Sequence, residues 1–214
     1  MFNEDQLKLL TEFYYHCEEF TPTVEESSAS WCQSYYQYEV LQGLILGREK
    51  YLLDALPTWL KDRPKYRTGP IQRHIQCKLD TFKVLQEIKS LSDYLVVCEV
   101  GYGTDIIVAI MIKEWKEIYC YDHNPYMEKG LIDFFVKKKG VNLIFKQSPS
   151  TIFDFAGIDK RTIVLANHTH IPVAKQGKNI KDNDNLIYVS NGIVLDNIPV
   201  TVEECRKNTK RGYL

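Results

Sequence analysis

Apolar residues recur with helical spacing from Asn3 to about Leu60. Leu7, Leu10, Tyr14 and Cys17 stand at i, i+3, i+7 and i+10, one stripe of a helix. A polar break from Thr21 to Ser28 follows, then an aromatic-rich segment from Trp31 to Tyr38 that Val40, Leu41, Leu44 and Ile45 continue helically. Pro57, Pro64, Gly69 and Pro70 crowd a short stretch and mark a boundary. Leu79, Phe82, Leu85 and Ile88 then predict a helix over about 71–91.

From Tyr94 the pattern changes to short β-rich runs alternating with helical ones. The runs are Tyr94–Val100, Glu117–Tyr121, Val141–Phe145, Thr162–Ala166 and Leu186–Val189. Helical patterns fill 105–115 and 126–139, the second with Met127, Leu131 and Phe135 four apart. Such alternation predicts parallel βαβ units in an open sheet. Near-continuous apolar strands such as Tyr94–Cys98 suit a sheet covered on both faces. The expected architecture is an α/β, three-layer sheet of five to six strands, shortened at the C-terminus. A helical cap over 1–80 precedes a sheet domain over 81–214.

Composition narrows the class. The 214 residues are 44% hydrophobic and 26% charged, the balance of a globular chain, which excludes global disorder, collagen and coiled coil. Lys plus Arg (27) against Asp plus Glu (28) gives a net charge of −1, so no overall basic field draws the chain to nucleic acid. The longest apolar run near the middle, Ile106–Ile112, falls far short of the ~20 residues of a membrane helix. The acidic start, Met-Phe-Asn-Glu-Asp, does not resemble a signal peptide. Six scattered cysteines without a C-x-x-C pair read as reduced packing thiols. Together these features predict a cytoplasmic protein without a membrane partner.

The sharpest chemical signal is Val97-Cys98-Glu99-Val100-Gly101-Tyr102-Gly103-Thr104, a strand running through G-x-G into a helix. Glycine removes Cβ and lets backbone approach a ligand at the strand's carboxyl end, where open α/β sheets bind ligands. The next strand ends in Asp122, 21 residues after Gly101, the spacing at which a carboxylate accepts hydrogen bonds from ribose hydroxyls. A dinucleotide fingerprint wants glycine where Ile106 stands, and it holds a pyrophosphate on the helix N-terminus. Asp105 in that first turn repels a phosphate but not a sulphonium or an ammonium group. The chemistry therefore favours S-adenosyl-L-methionine over NAD.

On these residues the stretch from about 94 to 194 resembles the class I (Rossmann-like) S-adenosylmethionine-dependent methyltransferases. Glu99-Val100-Gly101-Tyr102-Gly103 is similar to the family's first motif, and Asp122-His123-Asn124-Pro125-Tyr126-Met127 to its acidic loop after the second strand. The resemblance implies a Rossmann-like sheet, S-adenosyl-L-methionine as cofactor and methyl transfer as the activity. It implies that Gly101, Tyr102 and Gly103 line the methionine moiety and that Glu99 helps position its amino group. By the same carry-over Asp122 binds the ribose and His123 lies against the adenine, with Gln147 and Ser148 near the adenine edge. Asn167, after the fourth strand, faces the transfer site.

The segment Ala166-Asn167-His168-Thr169-His170-Ile171-Pro172 differs from the Asn/Asp-Pro-Pro-aromatic motif of the family's amino-methylating nucleic-acid enzymes. A small-molecule acceptor is therefore favoured, with nucleic acid kept as an alternative. His168 and His170 share a face if the strand continues, and histidine suits a general base near neutral pH. A metal site with Asp182 or Asp184, or a structural turn, are the other roles open to them. Arg73 or Arg67 stands where a cation pairs with the methionine carboxylate; a solvated loop charge is the alternative. Few residues follow the fifth strand, so only Ile198–Val202 remains for another strand, and the exposed flank predicts cover by the N-terminal helices or a homodimer partner. Two other functions fit the same pattern: an NAD(P)-dependent oxidoreductase, and an S-adenosylmethionine-binding structural protein without turnover.

Overall fold

The computed structural model describes residues 2–19, 40–46, 68–98, 103–122, 128–147, 158–167, 185–190 and 192–195. The chain divides into two compact units, Met1–Leu79 and Asp80–Leu214. The first contains helix α1 (Glu4–Glu19), a helical stretch over 40–46 and the start of helix α2 (Thr68–Ile88). α1 begins with a reciprocal cap: the Gln6 amide N–H donates to Asn3 Oδ1 (2.9 Å) and the Asn3 N–H to Gln6 Oε1 (3.0 Å). Two of the helix's orphan donors are satisfied in this way. The buried stripe of α1 is Leu10, Phe13 and Cys17; Phe13 takes the inward place that the sequence pattern gave to Tyr14.

The second unit is an α/β sheet. After α2 and a 3-10 turn (Lys89–Leu91) come β1 (Tyr94–Cys98), α3 (Thr104–Ile110) and β2 (Glu117–Asp122). Next come α4 (Glu128–Leu131), which widens into a π-helical segment (Ile132–Lys138), and β3 (Leu143–Gln147). The strands β4 (Thr162–Leu165), β5 (Leu186–Ser190) and β6 (Ile193–Leu195) complete it. The order across the sheet is β3-β2-β1-β4-β5-β6. β1 to β5 pair in parallel, and β6 runs antiparallel to β5. All five expected runs are strands, with β3 lying two residues later than its apolar pattern suggested.

Burial explains why these segments read as continuous apolar runs. Leu95, Val96, Val97 and Cys98 of β1 and Ile163, Val164, Leu165 and Ala166 in and after β4 have no exposed surface. Successive side chains on a strand point to opposite faces, so both faces of the central strands are covered. One face gathers Val96, Cys98, Tyr121, Val164, Ala166 and Tyr188.

Three differences from the sequence expectation have physical causes. First, α3 ends at Ile110, although its pattern extended to Trp115. The Trp115 indole donates to the Ala109 carbonyl (2.9 Å), occupying a helix-end acceptor, and Lys113 turns away to the Lys89 and Ser92 carbonyls (3.0 and 2.7 Å). Second, the sixth strand is Ile193–Leu195, formed by a tight reversal in which Ser190 pairs with Ile193. The stretch 198–202 lies outside the described residues. Third, the buried face of α2 within this unit is Thr81, Phe82 and Leu85, while Ile88 is only half-buried, as is Leu79, the last residue of the first unit.

The N-terminal edge of the sheet is closed by side-chain clips. Ser92 Oγ donates to the Arg161 carbonyl (2.6 Å) and accepts from the Tyr94 N–H (2.8 Å). Asn142 Nδ2 donates to the Lys116 carbonyl (3.0 Å) and Asn185 Nδ2 to that of Asp159 (3.3 Å). Among the described residues, no helix is long and apolar enough to cross a membrane.

Candidate functional site

The strand order sets where a ligand site belongs. From β1 the chain winds outward through β2 to β3, then returns to β4 on the other side of β1. The carboxyl ends of β1 and β4 therefore flank a topological switch point, where open α/β sheets form a crevice.

After β1 the chain enters α3 through Gly103, whose φ of 85° and ψ of 15° are left-handed. A side chain there would be strained, so the glycine is required by the backbone itself. Gly103 serves as the N-cap of α3, and its carbonyl accepts from the Ile107 N–H (2.9 Å). β2 ends at Asp122, which is half-buried and in register with Gln147, the last residue of β3. Parallel pairing thus brings together two residues expected around one adenosyl group. Two positions before Asp122, burial pushes the Cys120 thiol upward, and the Asp122 charge adds to it. Cys120, like Cys98, is a buried thiol.

Asn167 follows β4 at the same edge and is 4% exposed. Its Nδ2 donates to Asp105 Oδ1 (2.8 Å) and to Thr81 Oγ1 (3.2 Å). Thr81 Oγ1 also approaches Asn167 Oδ1 at 3.5 Å, the weaker contact. An ionised carboxylate only accepts, so the amide nitrogen must face Asp105. Thr81 and Asp105 are themselves buried, with 0% and 5% exposure. The cluster joins α2, the first turn of α3 and the end of β4. Beside it the Ser190 hydroxyl donates to the Ala166 carbonyl (3.2 Å), tying the end of β5 to that of β4.

The structure thus brings Gly103, Asp122, Gln147 and Asn167 to the carboxyl edge of one sheet. Arg73 is exposed on α2, in the part that belongs to the first unit. Glu99, Gly101, Tyr102, His123, Ser148, His168 and His170 lie outside the described residues, as do Arg67, Asp182 and Asp184. Among the described residues no group of three His, Cys, Asp or Glu side chains is placed to hold a metal ion.

Thr81 escaped the sequence reading. Its only signal was a hydroxyl on the helix face shared with Cys77 and Leu85, four residues to either side, and its partner stands 86 residues away. Asp105 was legible as a first-turn acid, but its bond to Asn167 was not. Set against family models, curated proteins and solved structures, the chain gives no match in any of the three comparisons.

Proposed function

We propose that the second unit is a Rossmann-like S-adenosyl-L-methionine site and that the protein transfers a methyl group to a small-molecule acceptor. The observation that carries this reading is a left-handed glycine after β1, beside the switch point, together with a carboxylate at the end of the adjacent strand β2. The residues present fit such a cofactor. Asp122 would accept hydrogen bonds from two ribose hydroxyls. The turn ending at Gly103, together with Gly101 and Glu99 before it, would receive the methionine portion. The buried Asp105 carboxylate in the first turn of α3 opposes a pyrophosphate and tolerates a sulphonium, which disfavours a dinucleotide.

When bound, S-adenosyl-L-methionine supplies an activated methyl group on a cationic sulfur. The protein's share is to align the acceptor in line with that carbon and to exclude water, since alignment lowers much of the barrier. An acceptor that must lose a proton needs a base, and His168 or His170, after β4, is suited to that role.

Calorimetric titration with S-adenosylhomocysteine tests the reading. The wild-type chain is expected to bind it, and Asp122→Ala to bind about tenfold more weakly or worse, since a hydrogen bond to a charged group contributes ~1.5–3 kcal/mol. Equal affinity in the two proteins would put the ribose elsewhere. Absence of binding in the wild-type protein would end the proposal.

One observation favours a second reading, a binding protein without turnover. The Asn167 amide, which the resemblance directs at the acceptor, is engaged by Asp105 and Thr81. Tight binding of the cofactor without methyl transfer or cofactor breakdown would select that reading.

A further inference from the structure

The carboxyl edge of the sheet contains a buried, hydrogen-bonded side-chain cluster. Asn167, Asp105 and Thr81 come from three separate elements, and none is more than 5% exposed. A buried amide whose two N–H groups both find acceptors is a specific and directional link. Asp105 lies two residues after Gly103, in the first turn of α3. Whatever fixes Asp105 therefore fixes the helix start into which the glycine turn leads. Across the switch point, the Asn167–Asp105 bond spans from the end of β4 to the beginning of α3.

We propose that Asn167 is a positioning residue of the adenosyl site: its carboxamide anchors the first turn of α3, and with it Gly103 at the helix start, to β4 and α2. The inference rests on the adenosyl reading and gives Asn167 a place behind the site, not in contact with the acceptor. The carboxylate bonded to the amide is that of Asp105, at 2.8 Å.

The chemistry suggests an exchange experiment. Asn167→Asp sets a second carboxylate against Asp105 and removes the donor. The double variant Asp105→Asn/Asn167→Asp restores one donor and one acceptor in reversed order, and the Thr81 hydroxyl then donates to the new carboxylate. Affinity for S-adenosylhomocysteine is measured by calorimetry on each full-length protein, well below its melting temperature. Asn167→Asp is expected to bind about tenfold more weakly than wild type, and the exchanged pair to recover to within about threefold. Thr81→Val keeps the shape, loses one acceptor and is expected to bind about threefold more weakly. It decides the matter if Asn167→Asp does not fold. A residue that serves folding alone would leave the affinity of the folded variants unchanged, and that result overturns the inference. So does a loss that the exchanged pair fails to recover. In both cases wild-type binding stands and the adenosyl reading survives. Absence of wild-type binding removes the reading and this inference together.

Discussion

A methyl group added at Gly192 would overlap Asp80 Cβ and press on the Asp80 carbonyl carbon and the Thr81 nitrogen, 3.0 and 3.1 Å away. The residue also has a φ of +72°, which L side chains rarely adopt. Two independent penalties therefore meet at one position, and the obstacle is largely backbone that cannot swing aside. Gly192→Ala is expected to lower stability by at least about 2 kcal/mol, read as a shift of the urea midpoint. A variant as stable as wild type would show that the turn can move off α2. The same residue illustrates what one chain of letters conveys. Asn191-Gly192 is a hairpin signal that the expectation of a further strand at 198–202 left unused, and the close approach to Asp80 depends on a residue more than a hundred positions earlier. Asn167 repeats the lesson. Its place at the end of the fourth strand was legible, because the apolar run before it was clear. Its bonds to Asp105 and Thr81 were not, since neither spacing nor composition records which way an amide faces.

Elements were most legible where burial is complete. β1 and β4 are covered on both faces, so nearly every side chain is apolar and the run stands out. The α3 boundary was lost because Lys113 and Trp115 belong to the helical pattern by spacing but to the loop by hydrogen bonding. At the sheet's N-terminal edge Lys113 and Lys116 both bond Asp93, at 2.8 and 2.9 Å, and Lys113 also lies 4.8 Å from the Trp115 ring centroid. The hydrogen bond from Lys113, then that from Lys116, holds the Asp93 carboxyl down at about 2 against an ordinary 3.8. A depressed folded-state value means that ionised Asp93 favours the native state above the unfolded pKa. The contribution fades as pH falls through the folded value. Asp93→Asn is accordingly expected to melt below wild type at neutral pH, by a modest margin because Asp93 is 48% exposed. The gap should close as pH drops from about 4 toward about 2. Melting curves at several pH values check this, and a constant gap would detach the ion pair from stability.

For the whole molecule, the adenosyl reading implies that ligand binding stabilises the native state of the second unit by mass action. S-adenosylhomocysteine at a hundred times its dissociation constant contributes about 2.7 kcal/mol, which should raise the melting midpoint by roughly 5–10 °C. NAD at equal concentration should leave it in place. The reverse outcome would favour the oxidoreductase alternative, and no shift with either would leave the unit without an adenosyl ligand. Division into two compact units falls inside α2, between Leu79 and Asp80, where the sheet domain was expected over 81–214, and lies beyond the proline-rich stretch from Pro57 to Pro70. Proline and glycine report where a chain bends locally, whereas a compact unit is defined by which residues pack together. The sheet's parallel character was legible from the alternation of strands and helices. The reversal of β6 rests on three residues and a tight turn, too short a segment for periodicity to register.

Helix α3 is seven residues long, and Thr104 to Ala109 are all buried. A helix of two turns has almost no stability in water, so it persists only while the strands around it stay paired. Its backbone amides accordingly exchange with deuterated solvent through openings of the sheet, not by fraying of the helix on its own. The slowest-exchanging protons between positions 107 and 111 then measure how often the second unit comes apart.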